Sequence, residues 1–255
     1  MSNGETINFK GEMFPTFTER GFISILSTFC GGLEKFSLEP VETVEGTSVK
    51  QLREGLDLPF MKGVFKPYRM DKCEKLCITN CILMDRILVS GLIAFPADDY
   101  DFPMLTLEWS ETEDVISVLV DLVPVADPVI TAGYRETYLD PLEEYWTQYV
   151  ELPWIKPNRF AWSRMVFSPY YLSGSAPKGQ DQNKKDCLDI VSQYLGQWIR
   201  ILEKAEPITD EQQKQAVKAR KDAMRRIFRA NDEGAKTMKQ MVGEDIIKML
   251  LLSNF

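Results

Sequence analysis

From residue 74 to 122, four apolar, β-branched segments follow one another with almost nothing between them: KLCITNCILM, RILVSGLIAF, MLTLEW and VISVLVDLV. Links such as Met84-Asp85-Arg86 and SETED are too short for the crossover that parallel neighbours need. Antiparallel pairing satisfies them, and that sheet constrains everything around it. Ahead of it, residues 15–30 (PTFTERGFISILSTFC) read as an amphipathic helix ending at Gly31-Gly32. Residues 41–70 read as weak strand-like stretches broken at Pro67.

Behind the sheet the periodicity turns helical. A helix is expected over 134–149 (YRETYLDPLEEYWTQY), a strand over 159–167 (RFAWSRMVF) and a flexible loop over 173–185 (SGSAPKGQDQNKK). Leu188, Val191, Leu195, Trp198, Ile199 and Leu202 form one apolar stripe at helical spacing. Thr209 to Gln212, after Pro207, has the form of a capping box. A last helix is expected from Ala235 to Leu252, with Gly243 as kink or junction. The order of helix, antiparallel strands and helices is that of an α+β fold, and 255 residues fit one domain over 1–255.

Composition narrows the chemistry mainly by what is absent. There is no histidine, which removes Ser-His-Asp and Cys-His catalysis, the usual zinc sites and an imidazole proton shuttle. Acid–base work would fall to carboxyl groups, tyrosines, cysteines or lysines. A net charge of −8 argues against a general nucleic-acid binder. No apolar run has the length of a membrane span, and Met1 to Glu5 lack the start of a secretory signal. Five cysteines without a small-domain disulfide pattern suggest a reducing compartment. Cys73, Cys77 and Cys81 recur every fourth residue, a spacing read as one face of a strand or helix. Core packing is the expected role; iron–sulfur or zinc ligation would need a fourth ligand and more often uses two-residue gaps.

Glu108 is the anomaly in the sheet. Alternation puts Met104, Thr106 and Glu108 on one face, opposite Leu105, Leu107 and Trp109. In the next strand Ser117 and Asp121 share a semi-polar face. Either that face is solvated, or it is covered and lines a pocket where a carboxyl pKa rises enough to donate a proton near neutrality.

AFPADDYDFPM, followed by a strand with an acid five residues after Pro103 and then by VLVDLVP, resembles the ferredoxin-dependent bilin reductases. The resemblance continues through YRETYLDPLEEYW, VFSPYYL and RANDEGAKTMKQMVGEDIIKMLL, covering most of residues 75–255. It implies an α/β/α sandwich, with a central antiparallel sheet flanked by helices on both faces and a linear tetrapyrrole between sheet and C-terminal helices. It also implies no permanently bound cofactor and no metal. Reduced 2Fe–2S ferredoxin would supply electrons singly to a bilin radical, and acidic side chains would supply protons.

Carried over by position, Glu108 falls where bilin reductases usually have Asp or Asn; glutamate there resembles the related red chlorophyll catabolite reductases. Asp232, eleven residues before Gly243, matches the family's second active-site aspartate. From the residues alone, Asp232 reads first as the N-cap of the last helix; the active-site role is what the resemblance implies. Gly91 stands where phycocyanobilin-forming enzymes place a catalytic histidine, so the resemblance implies a different product.

Ferredoxins are acidic, and docking needs a basic face. Lys62, Lys66, Arg69 and Lys72 form one candidate segment, with Lys221 and Arg225 on a helix forming another. Arg164, Ser168, Arg229, Thr106 and Asp121 are the candidates for contacting substrate, its propionates included. Trp109, Phe160 and Trp162 are candidate ring-stacking partners. The activity expected is reduction of biliverdin IXα or dihydrobiliverdin to a phytobilin. A red chlorophyll catabolite reductase and a bilin carrier without turnover remain open. A phytochrome or a phycobiliprotein lyase would receive the product. The compartment would be plastid stroma in a eukaryote and cytoplasm in a bacterium.

Overall fold

The computed structural model describes residues 6–9, 12–15 and 20–255. A hairpin of β1 (Thr6–Phe9) and β2 (Glu12–Pro15) precedes α1 (Arg20–Leu33). The short strands β3 (Leu38–Pro40), β4 (Thr43–Val44) and β5 (Thr47–Ser48) follow, then α2 (Lys50–Glu54) and β6 (Leu56–Leu58). The long strands are β7 (Met61–Met70), β8 (Cys73–Leu83), β9 (Ile87–Pro96), β10 (Met104–Glu111) and β11 (Val115–Val123). A π turn at Arg135–Leu139 and a 3-10 turn at Asp140–Leu142 run into α3 (Glu143–Tyr149). Next come α4 (Ala161–Val166), β12 (Leu172–Pro177) and α5 (Asp181–Lys204). The chain finishes with α6 (Glu211–Asn231), α7 (Glu233–Val242) and α8 (Glu244–Asn254). Among the described residues no helix is long and apolar enough to cross a membrane.

The sheet order is β12-β11-β10-β9-β8-β7-β3, with β6 also on β7, and every pairing is antiparallel. Both faces carry helices, which agrees with the α+β class read from the element order and with the sandwich that the resemblance implied. Leu105, Leu107 and Trp109 point to the α1/α5 side with Leu92, Val118 and Val120. There they meet Phe22 and Leu26 of α1 and Tyr194, Leu195 and Trp198 of α5. Burying one such large side chain contributes about 1.5–3 kcal/mol, so this face holds most of the packing energy. α1 runs through the two glycines where a stop was expected: at Gly32 a Cβ would lie 2.9 Å from Ile199 of α5, so glycine lets the two helices approach.

The opposite face is covered in two separate patches. Phe95, Met104 and Val123 pack against Met224 and Phe228 of α6. Met61, Phe65 and Cys81 pack against Ala235 of α7 and Ile247 and Leu250 of α8. Between them, a transverse row of Thr79, Gly91, Glu108, Leu119 and Ser173 crosses the sheet in register. Gly91, Glu108 and Leu119 keep accessible surface in the middle of an otherwise buried sheet.

Several sequence expectations are corrected. Residues 159–167 are not a strand: Ala161–Val166 is helical, because Val166 and Trp162, four residues apart, pack together beside Phe228 of α6. Residues 173–185 are not a flexible loop. Leu172–Pro177 is the edge strand on β11, and α5 begins at Asp181. Small residues suit that strand, since a Cβ on Gly174 would lie 2.2 Å from the Trp154 carbonyl oxygen. Pro67 breaks nothing. Its carbonyl accepts from the Val41 amide, on the outer side of β7, so its missing N–H faces away from the β8 ladder. The expected helix over 134–149 is three joined turns and helices, stepped at Pro141. The cap of α6 is Asp210 rather than Thr209, accepting from the amides of Gln212 and Gln213. Gly243, at φ +87°, is the junction between α7 and α8.

Cys73, Cys77 and Cys81 do not share a face. A bulge between Cys73 and Lys75 turns Cys73 toward the α1/α5 core, while Cys81 packs under α8. All five thiols are free and buried, and burial pushes each thiol pKa up to about 12 or beyond. Among the described residues no cluster of carboxylates and thiols is suited to hold a metal ion.

Candidate active site

Glu108 is placed by the alternation of β10 at the open row between the two apolar patches. Its side chain has accessible surface. Desolvation by the surrounding protein, and then the charge of Asp232, nevertheless raise its carboxyl pKa above the ordinary 4.5. Glu108 is thus exposed to solvent on one side and backed by protein on the other. The raised pKa is what the pocket reading requires, while the exposure is what a solvated face would show. Gly91 is its neighbour on β9, and a Cβ there would meet the Leu107 carbonyl oxygen at 3.4 Å and Thr79 at 3.7 Å, which is ordinary contact. No packing demand requires glycine, so its effect is to leave room beside the carboxyl.

Asp232 is the helix cap that its sequence context suggested, and its charge also reaches Glu108. Its Oδ1 accepts from the Ala235 amide at 2.7 Å at the start of α7. It also lines a cavity of about 310 Å³ bounded by the end of α6, α7 and α8. Its lining combines apolar Ala235, Ile247, Leu251 and Leu252 with the charged Arg229, Lys236, Lys239, Lys248 and Glu244. Glu108 does not line this cavity; Asp232 is common to the cavity and to the surroundings of Glu108. Tyr171 completes the group, its hydroxyl pKa raised by burial and then by Asp121 and Glu108. Tyr171 lies in VFSPYYL, where no periodicity or charge marks it as a site residue.

Thr106 is buried one step along the same face, directly across from Asp121. Asp121 is fully buried and bonded to Ser168, whose amide donates to Oδ2 at 2.7 Å and whose hydroxyl donates to Oδ1. Burial raises the Asp121 pKa to about 7 against the pull of those bonds. The two predicted substrate contacts are therefore spent on each other. Arg164 lies exposed on α4, away from a strand. Arg229 donates to both carboxylate oxygens of Glu45 and to the Phe255 main-chain oxygen, with no bond to Asp232. Trp109 is on the far face, stacked on Phe22 at 4.7 Å and donating to Glu111, so it cannot stack on anything beside Glu108. Phe160 is exposed, and Trp162 packs against Phe228.

The expected docking cations divide sharply. Lys66 is buried 2.9 Å from Glu12, and Lys221 is buried 2.7 Å from Asp98. Lys72 donates to the carbonyls of Leu202, Glu203 and Ala205 at the end of α5. Arg225 bonds Glu74 and Asp222 and lies over the Phe95 ring. These four serve the fold, because each finds a partner that lies far away in sequence or packs into the interior. Lys62 and Arg69 keep exposed side chains on β7.

A family model described as ferredoxin-dependent bilin reductase matches residues 65–251. Among solved structures, phytochromobilin synthase from tomato, crystallised in complex with biliverdin, superposes with a TM-score of 0.75 at 20% identity. That alignment covers 91% of this chain and 81% of the tomato chain, and at such identity it establishes a common fold. A search of curated proteins returned no match.

Proposed function

Because the chain belongs to the ferredoxin-dependent bilin reductase family, we propose that it reduces biliverdin IXα or dihydrobiliverdin to a phytobilin, with Glu108 and Asp232 as the catalytic proton donors. The observation carrying this reading is the Glu108 carboxyl on the open row of the sheet, held toward its protonated form by burial and by Asp232. Each double bond reduced takes two electrons and two protons. Two reduced ferredoxins deliver the electrons one at a time, each becoming oxidised, and the intermediate is a bilin radical. A carboxyl whose pKa is raised by desolvation can supply a proton to the reacting carbon without waiting for solvent. Two donors at different places along the cleft would meet different carbons of one extended tetrapyrrole, which fixes regiospecificity. Lys62 and Arg69, the exposed members of the predicted basic set, would receive the acidic ferredoxin.

The Asp232–Ala235 cap bond favours a second reading, a bilin carrier in which Asp232 is purely structural. An anaerobic assay with ferredoxin and a reducing system separates the two. Wild type converting biliverdin to a blue-shifted product, with Glu108→Gln or Asp232→Asn stalling at a radical or half-reduced bilin, supports donation by the acids. Bilin binding without any ferredoxin-dependent spectral change moves the test to red chlorophyll catabolite. If that is also left unreduced, the carrier reading stands.

A further inference from the structure

Arg229 closes the α6 end of the cavity, and its guanidinium is already filled by a carboxylate. Nη2 and Nη1 meet the two oxygens of Glu45 at 2.7 and 3.1 Å, and Nε reaches the Phe255 main-chain oxygen at 3.0 Å. Glu45 sits at the tip of the β4–β5 hairpin, where Glu45 and Gly46 adopt φ of +47° and +74°, the turn that suits a two-residue hairpin. The partners are 184 residues apart, so the contact is tertiary and nothing in the local structure of either segment demands it. Val44 anchors the hairpin on the apolar patch beneath α8.

We propose that Glu45 is a stand-in carboxylate: it occupies the Arg229 fork until a propionate of the incoming bilin displaces it. This rests on the bilin reading above and adds to it a carboxylate subsite and its resident competitor. Three observations carry it. The planar fork of arginine matches carboxylates two bonds at a time, and a propionate presents the same group as the glutamate side chain. The pair is half-open to solvent, with the Glu45 side chain 56% exposed, and ion pairs at such sites are weak enough to exchange. The rim around Arg229 also favours an anion. Lys236 and Lys239 form exposed pairs with Glu233 and Glu244, and together with Arg229 and Lys248 the lining sets four cations against the carboxylates of Asp232 and Glu244. Glu45 itself is ionised at neutral pH, since its hydrogen bond to Arg229 holds its pKa below the usual 4.5.

The test is an absorbance titration, without ferredoxin, of biliverdin and of its dimethyl ester into wild type, Glu45→Gln, Arg229→Gln and the double variant. Glu45→Gln is expected to tighten the free acid by about fivefold and leave the ester unchanged. Arg229→Gln should weaken the free acid and remove the gain in the double variant. Unchanged or weaker free-acid binding by Glu45→Gln, or equal tightening of the ester, overturns the proposal while leaving the bilin reading in place. Wild type binding neither pigment overturns both. Glu45 is a surface side chain, so Glu45→Gln carries the test even if Arg229→Gln unfolds.

Discussion

Asp232 stands close enough to Glu108 for its charge to raise the Glu108 carboxyl pKa, while its own Oδ1 is tied to the Ala235 amide. The cap bond orients Asp232 from the backbone of α7, so the helix start and the acid pair are one construction.

Asp232→Asn should lower the Glu108 pKa, because removing a nearby negative charge favours the ionised form. The alkaline limb of the pH profile for single-turnover bilin reduction would move to lower pH. Asparagine also caps helices well, so the unfolding midpoint should change little. If Asp232 donates a proton, the rate at neutral pH falls by about 100-fold or more. A normal rate with an unmoved profile would remove Asp232 from the chemistry.

Asp121 makes stability depend on pH. Its folded pKa of about 7 lies above its ordinary 3.8, so the folded state binds this proton more tightly. Stability is full below about pH 4 and is lost as pH rises through about 7. The upper limit of the loss is on the order of 4 kcal/mol. Asp121→Asn, still able to accept from Ser168, should flatten this part of the curve. Denaturant unfolding at pH 5 and pH 8 reads the difference between the two proteins; identical slopes would exclude it.

Lys221→Met separates structure from docking. Lys221 is wholly buried and donates to Asp98 and to the Pro96 carbonyl. Its loss should cost about 1–3 kcal/mol of stability and leave the KM for ferredoxin unchanged. Arg69→Glu, on an exposed side chain, should raise that KM and leave stability nearly alone. The opposite pattern would return docking to α6.

Two glycines should respond differently to alanine. At Gly174 the new Cβ would lie 2.2 Å from the Trp154 carbonyl oxygen, and backbone must move; a loss of about 1–3 kcal/mol is expected. At Gly91 the contacts are ordinary, so Gly91→Ala should fold with unchanged stability and narrow the space beside Glu108. Thermal unfolding of both variants checks the contrast.

The period-2 pattern of MLTLEW placed Glu108 on the face opposite Leu105, Leu107 and Trp109, and the structure agrees. Where apolar residues fit two periods, as in RFAWSRMVF, pattern alone did not choose, and packing on Phe228 decided for helix. SGSAPKG carries every local mark of a loop; its SGSAP part is a strand because the edge of β11 and the Trp154 backbone lie beside it. The basic residues misled for a related reason, since charge is visible in a sequence and its partner is not. Lys221 with Asp98 and Lys72 with the end of α5 are pairings across more than a hundred residues.

The sequence by itself determined an antiparallel sheet between helices, the face on which Glu108 lies, the capped start after Asn231 and the junction at Gly243. These follow from local rules: alternation, link length, capping chemistry and a positive φ. Only the tertiary structure decided that the sheet is covered in two patches with an open row between them. It alone set Asp232 near Glu108, closed Asp121 onto Ser168 and laid Glu45 on Arg229. The physical reason is one of range. Where the local signal is unambiguous, backbone geometry follows from neighbours in the chain, whereas desolvation and charge depend on whatever segments the fold brings together.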